Sequence, residues 1–223
     1  MMNSSNSDRP GGFSLIEMMV VLGLVGLLMA FAAPNLFSLI SSTSLSGEGT
    51  LLRNQLTLAQ QTAVSKSADV EIRFFYTDDT SNASNLSLYR AYQLFQYNRD
   101  GEMEPVSGFF RIRAPVAIHE NLSTLLEDST AQGNDRKFGF VAPHRGRYPA
   151  PVGFGGSEVD TAYMAFRFRP DGSTDLPFRT SEGDTWYITL VQGEGALQDN
   201  KPPNFLCLQV NPYNGQISEF RPN

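Results

Sequence analysis

The feature that most constrains this chain is an apolar run over residues 13–33 that contains one charged residue, Glu17. As a helix, these 21 residues rise about 31 Å, roughly the thickness of the hydrocarbon layer of a membrane. A carboxylate costs about 2.5 to 3.5 kcal/mol at the centre of such a span and less near its end, so it usually has a partner or a function. The sequence therefore predicts a membrane helix in which Glu17 is a functional residue.

Two other interpretations of the same run stay open. Residues 30–32 form a small-residue site of the kind that an ordinary signal peptidase cuts, which would make the chain a secreted domain. Against this, Asp8 offsets Arg9 before the run, and Glu17 would interrupt an apolar core that signal peptides keep uncharged. Alternatively, the run is a plain structural anchor, with Glu17 snorkelling from the helix end.

The segment Gly12-Phe13-Ser14-Leu15-Ile16-Glu17 resembles the cleavage and methylation site of type IV pilins and pseudopilins. The resemblance implies that a prepilin peptidase cuts after Gly12 and that the new terminal Phe13 is N-methylated. It implies that Glu17, the fifth mature residue, recruits subunits into a filament. Pro34 also fits, because the family often has a proline at this position and proline kinks or opens a helix.

Glu17 has a physical reason to act in assembly. Buried among neighbouring apolar helices, its carboxylate needs an opposite charge, and the ammonium group of Phe13 from an adjacent subunit can supply it. The resemblance thus implies three partners for the chain, namely a prepilin peptidase, the inner membrane and other pilin-like subunits.

The rest of the chain is predicted to form one exported head. The 190 residues after Ala33 are enough to bury a single sizeable core. The formal net charge is −6, and removal of residues 1–12 leaves it unchanged because Asp8 and Arg9 cancel. Such acidity argues against a nonspecific nucleic-acid surface, which needs a basic stripe.

No catalytic or metal site is predicted. Cys207 is the one cysteine, so no intramolecular disulfide forms, and its place between two leucines indicates a small buried hydrophobe. His119 and His144 show neither metal-ligand spacing nor a nucleophile motif. The chain is therefore predicted to be no enzyme and to need no cofactor. Many major pilins close their C-terminal region with a disulfide, and this chain departs from that pattern.

Periodicity predicts an α+β fold, with a long N-terminal helix packed on a mainly antiparallel β head. Leu45, Leu52, Leu56, Ala59 and Ala63 recur at helical spacing and indicate a stripe against a core. The helix is expected to weaken or break over residues 41–49, which are rich in serine and glycine, and to end at about residue 66.

Apolar alternation from residue 70 onward predicts strands. The candidates are residues 70–74, 90–96, 109–113, 163–169, 186–191, 205–210 and 216–220. The Asn214-Gly215 step predicts a tight hairpin between the last two, whereas residues 133–156 are predicted to be irregular. The expected domain limits are 1–12 for the leader, 13–66 for the helix, membrane-spanning to about 33, and 67–223 for the head.

Segments after the N-terminal motif indicate more specific groups within the pilin-like family. Residues 56–64 with 69–74 are similar to FimT and the pseudopilin H group of type II secretion. Residues 90–95, 171–176, 186–190 and 204–210 are similar to the pilin-like cassette D proteins of verrucomicrobia. These likenesses imply a long helix leading into β-sheets more than they imply any chemistry.

DNA capture is a second functional hypothesis, because some FimT-like minor pilins bind DNA through arginines in a Gly-Arg-x-Arg segment of the C-terminal hairpin. The aligned segment here is Gly215-Gln216-Ile217-Ser218, which lacks both arginines, although Arg221 lies nearby. Together with the acidic head, this argues against a nucleic-acid partner.

Calcium binding is a further hypothesis for the oxygen-rich region that contains Asp171, Ser173, Asp175, Glu182 and Asp184. Their spacing does not match an EF-hand. A β-turn in which Asp171 bonds its own backbone explains the first three residues more simply.

The sequence as a whole predicts a minor pilin or pseudopilin, inserted once in the inner membrane with its head outside the cytoplasm and assembled into a filament. A type II secretion system, a type IV pilus and a cassette-specific apparatus all stay open as the machine.

Overall fold

The computed structural model of the protein describes residues 14–78, 87–98, 100–126, 145–152, 156–176, 185–192, 202 and 204–221. For residues 31–42, 78, 87, 88 and 121 the description covers the backbone only. The chain divides into two compact units, residues 1–41 and 42–223, which are described one at a time.

Helix α1, Leu15–Lys66, is the first element of the described part of the chain. In the first unit, its described side chains from Leu15 to Ala30 are all exposed, although nearly all of them are apolar. Within the described residues, no helix is both long enough and apolar enough to cross a membrane.

In the second unit, α1 packs one side against the core. The predicted stripe is confirmed, since Leu45, Leu52, Leu56, Ala59 and Ala63 are all buried. The weakening expected over residues 41–49 does not occur, because α1 is continuous there. Tertiary packing of one face outweighs the low helix propensity of serine and glycine.

Gly49 shows how closely the helix approaches the sheet. A Cβ atom at this position would lie 2.4 Å from Cδ1 of Leu206. Leu206 is itself fully buried, so it has little room to move aside in a close-packed interior. Glycine at position 49 therefore serves packing, despite its poor helix propensity.

In the described part of the chain, ten strands follow α1 and join one sheet in which every pair is antiparallel. They are β1 (Val70–Asp78), β2 (Ser87–Tyr97), β3 (Met103–Pro105), β4 (Phe110–Arg111), β5 (Val116–Ile118), β6 (Arg145–Ala150), β7 (Val159–Phe168), β8 (Trp186–Gln192), β9 (Phe205–Val210) and β10 (Ile217–Phe220). Their order is β10-β9-β8-β5-β2-β1-β7-β6, with β3 and β4 paired to β2. The predicted α+β fold is confirmed.

Strand β6 lies inside the stretch that the sequence predicted to be irregular, so that prediction is wrong here. It pairs with β7 along its whole length, from Arg145 opposite Met164 to Ala150 opposite Val159. Pro149 obscures the strand in the sequence, because proline is confined to edge strands and β6 ends the sheet. The short strands β3 and β5 are also absent from the prediction, and β4 is shorter than predicted.

The hairpin predicted at Asn214-Gly215 is confirmed, but its turn differs from the two-residue type. Strands β9 and β10 pair from Val210 opposite Ile217. Gly215 has a φ of +64°, whereas Ser67 is the one described non-glycine residue with a positive φ, so Asn214 does not share this conformation. The side chains of Asn211 and Asn214 instead accept hydrogen bonds from backbone amides two residues ahead.

The sheet is buried on both faces at β1. Val70, Ile72 and Phe74 belong to the same core as the α1 stripe, and the intervening residues face the other way. There Glu71, 1% exposed, accepts hydrogen bonds from Arg73 Nε at 2.5 Å, from Arg167 Nε at 2.8 Å and from the Tyr97 hydroxyl at 2.8 Å.

These contacts decide the charge state of Glu71. Burial alone would raise the pKa of its carboxyl, but Arg73, Arg167 and Tyr97 outweigh burial and lower the pKa. The Arg73 guanidinium in turn lies 4.1 to 5.1 Å from the ring centroids of Phe95, Tyr148 and Tyr163. Since a buried charge is tolerated only when it is paired and hydrogen-bonded, we interpret this cluster as structural.

Replacing the two neighbouring glycines of α1 should have opposite effects on stability. A Cβ at Gly47 meets nothing within 4 Å, so Gly47→Ala should raise the free energy of unfolding by up to about 1 kcal/mol through helix propensity. Gly49→Ala should lower it by about 1 to 3 kcal/mol, because Leu206 must shift in a filled core. Denaturant unfolding of the full chain in detergent, followed by fluorescence of the single tryptophan Trp186, measures both. Equal effects of the two changes would contradict the close approach at Gly49.

Candidate assembly site and the surfaces of the head

The predicted processing site precedes the described part of the chain. Gly12 and Phe13 lie outside it, so their roles in cleavage and methylation stay predictions. The description starts with Ser14, whose carbonyl accepts a hydrogen bond from the Met18 amide at 3.1 Å. Helix α1 therefore begins at Leu15, two positions after the predicted new terminus Phe13.

Glu17 lies in the first turn of α1. A carboxylate in this position interacts favourably with the partial positive charge at a helix N-terminus. Its side chain is exposed, and so are the apolar side chains beside it, with Leu15 at 79%, Ile16 at 71% and Met18 at 51%. The acid is thus surrounded by uncovered apolar surface.

That apolar surface continues along the helix to Met29, and it includes Leu22 and Leu28. Gly23 and Gly26 leave open space, since a Cβ at either would meet nothing within 4 Å. Exposed apolar surface of this extent marks contacts with protein or membrane. This part of α1 therefore has the chemistry of a docking helix.

Pro34, the remaining predicted assembly residue, lies within α1, which continues to Lys66. Its side chain is outside the description. Its role in assembly stays a prediction.

The residues considered for catalysis have structural surroundings. Burial raises the pKa of the Cys207 thiol, although a hydrogen bond with Thr189 lowers it in part, so the reactive thiolate is disfavoured. His119 is buried, and its Nδ1 accepts a hydrogen bond from the Leu122 amide, which caps a short 3₁₀ turn. His144 lies outside the described residues.

The carboxylates considered for calcium are engaged in turns. Asp171 Oδ1 accepts hydrogen bonds from the Ser173 amide at 2.9 Å and the Ser173 hydroxyl at 2.6 Å. Asp175 Oδ1 accepts one from the Arg167 amide at 2.8 Å. Glu182 and Asp184 lie outside the described residues. Among the residues that are described, no group of three or more His, Cys, Asp or Glu side chains is arranged to hold a metal ion.

Arg221, the residue nearest to the DNA-binding hypothesis, is bound within the head. Its Nε and Nη2 contact the Glu219 carboxylate at 2.9 and 2.8 Å, and its Nη1 donates to the Ser46 hydroxyl at 2.7 Å. The Arg221 guanidinium, which lies directly after β10, is therefore paired with an acid of that strand.

Glu48 is a buried acid on α1 that the sequence prediction missed. It is 8% exposed, and burial raises the pKa of its carboxyl, although the Arg113 backbone amide and the Arg113 charge lower it in part. Its burial could have been predicted from the sequence, because Glu48 lies at helical spacing between Leu45 and Leu52 of the buried stripe.

Comparison with known proteins gives a match at the N-terminus. The family model described as the prokaryotic N-terminal methylation motif matches residues 8–33, which include Gly12, Phe13, Glu17 and the start of α1. This match supports a relation to pilins and pseudopilins. No curated protein sequence matches the chain.

Among solved structures, the chain is similar to the minor pseudopilin EpsH from the Type 2 Secretion System of Vibrio cholerae. The identity is 10%, the alignment covers 81% of this chain and 98% of that chain, and the TM-score is 0.41. The likenesses to FimT, to the pseudopilin H group and to the cassette D proteins stay predictions.

The raised pKa of Glu48 predicts a pH-dependent effect of Glu48→Gln on stability. A carboxyl with a raised folded-state pKa contributes stability while protonated and loses that contribution as pH rises through the folded pKa. Glu48→Gln and the original chain should therefore have similar free energies of unfolding at about pH 4, and the variant should be more stable at about pH 8. Glu104→Gln, at an exposed position of β3, is the matched control and should show no such change. A variant that is less stable at pH 8 would mean that the ionised Glu48 carboxylate stabilises the fold through Arg113.

Proposed function

We propose that this chain is a minor pilin or pseudopilin, a subunit that is cut after Gly12, N-methylated on Phe13 and assembled through α1 into a filament. The observation that carries the proposal is the methylation motif over residues 8–33, which includes the start of an exposed apolar helix with Glu17 in its first turn. Pilins and pseudopilins are structural subunits, not enzymes.

The exposed apolar surface of α1 requires an apolar environment both before and after assembly. Apolar side chains from Leu15 to Met29 are uncovered, and leaving them in water costs about 25 cal/mol for each Å² of apolar area. The inner membrane covers them before assembly, and the helices of other pilin-like subunits cover them afterwards. A prepilin peptidase acts between insertion and assembly.

Glu17 gives this assembly its specificity. Once the surrounding apolar side chains are covered, the carboxylate is in a medium where an unpaired charge is strongly disfavoured. The new ammonium group of Phe13 from a neighbouring subunit removes that penalty. Pro34 serves assembly by adjusting the helix between the apolar segment and the head.

The machine is a type II secretion system, a type IV pilus or a cassette-specific apparatus, and the head lies outside the cytoplasm. The head is acidic, and Arg221 is paired with Glu219, so neither feature favours DNA uptake. We therefore propose that the surface of the head contacts other subunits and does not bind DNA.

The mature N-terminus should be N-methyl-Phe13. Mass spectrometry of the protein isolated from its native membrane measures this, and Gly12→Ala should leave the uncut precursor in the membrane. A mature terminus at Ala33 would contradict the proposal and indicate a secreted head released by an ordinary signal peptidase.

Glu17→Gln should be cleaved and inserted normally but should enter filaments at least about tenfold less, because a charge-assisted hydrogen bond between subunits is lost. Quantitative blotting of sheared filaments against the membrane fraction measures the ratio. Met19→Leu, a change at an exposed apolar neighbour, is the matched control and should assemble normally. Normal incorporation of Glu17→Gln would exclude charge pairing as the basis of recruitment.

A further inference from the structure

Two loops of the head meet at one point on helix α1. One is the turn of residues 169–173 after β7. The other is the loop of residues 211–216 between β9 and β10, and these two strands with their loop form the C-terminal hairpin. Thr174, the residue directly after the turn, connects it to the loop, since the Thr174 amide donates to the Pro212 carbonyl at 3.0 Å. Residues distant in sequence are thereby joined beside the helix.

Gln60 of α1 binds both loops at once. Its Nε2 amide donates to the Asn214 carbonyl at 2.6 Å and to the Gly172 carbonyl at 3.2 Å. The side chain is half-buried and follows Ala59 of the buried stripe. One helix side chain thus links the turn after β7 to the C-terminal hairpin.

Glycine is required where these groups converge. A Cβ at Gly215 would lie 2.4 Å from the Gly172 carbonyl oxygen and 2.7 Å from Gln60 Nε2. Gly215 and Gly172 also have φ values of +64° and +83°, which L side chains rarely adopt. The close fit therefore depends on both glycines and on Gln60.

The far end of the hairpin has a second attachment to α1. Arg221, directly after β10, donates to the Ser46 hydroxyl at 2.7 Å. In the described part of the chain, β10 pairs in the sheet with β9 alone. With one cysteine in the sequence, the chain cannot close this region by an internal disulfide.

We propose that Gln60 is a non-covalent latch that fixes the C-terminal hairpin onto α1. Loss of its two hydrogen bonds frees the loop of residues 211–216 and the turn of residues 169–173 together, while the β1 region stays folded. All groups of the latch lie in the unit of residues 42–223, so the proposal does not depend on processing or assembly of the chain.

Hydrogen exchange of the full chain in detergent micelles tests the latch. Gln60→Leu removes both donors at similar volume, and Gln60→Glu places a carboxylate against two carbonyl oxygens. In both variants, exchange of the Thr174 and Gly215 amides should rise about tenfold or more, with the larger rise in Gln60→Glu. Exchange of the Ile72 amide in β1 should not change.

The control is Gln61→Leu, which makes the same substitution at the adjacent exposed glutamine. It should leave the exchange rates of the Thr174, Gly215 and Ile72 amides unchanged. Trp186 gives an independent readout, because it lines a cleft with Pro212 and Tyr213 at the hairpin tip. Quenching of its fluorescence by acrylamide should increase in the Gln60 variants alone. Unchanged exchange at Thr174 and Gly215 would overturn the proposal, and so would an equal rise at Ile72, which would make Gln60 a support of the whole head.

Discussion

The contact between the stripe of α1 and the sheet is the interaction on which the described head depends. Leu52, Leu56, Ala59 and Ala63 are completely buried in one core with residues of β1, β2, β5, β7, β8 and β9. Burying each large side chain contributes about 1.5 to 3 kcal/mol. The small residues of the stripe matter as much as the large ones, because glycine at position 49 lets Leu206 reach the helix. The hydrogen bonds of Gln60 to two loops depend on this close placement.

In the first unit, the described apolar side chains of the same helix are exposed instead of buried. There the described apolar side chains from Leu15 to Met29 are all exposed, so no core within the described residues covers them. A carboxylate, Glu17, lies among them. A helix that is apolar all round is expected in a membrane or in the middle of an assembly. The proposal of a pilin-like subunit accounts for both halves of α1, one as the core of a head and the other as the means of attachment.

The fold class could be predicted from the sequence where the apolar residues of an element follow one period and pack into one core. The α1 stripe and the alternation from Val70 to Phe74 led to the correct fold class for this reason. The sequence was misleading at β6, where pairing with β7 outweighs the unfavourable Pro149. It also left Glu71 unnoticed, because an acid on an alternating strand normally indicates a solvated face, and here three partners hold it in a second buried layer. The site residues Gly12 and Phe13 follow from a local motif, which requires no knowledge of the fold.

The structure of the assembled filament, determined by electron microscopy at a resolution that shows side chains, tests the central claim most directly. The decisive quantity is the distance from the Phe13 amino nitrogen of one subunit to the Glu17 carboxylate of its neighbour. The account predicts hydrogen-bonding distance, about 2.7 to 2.9 Å for a charge-assisted pair, within a layer of packed α1 helices. A filament in which Glu17 faces water or a group other than the neighbouring Phe13 would contradict it.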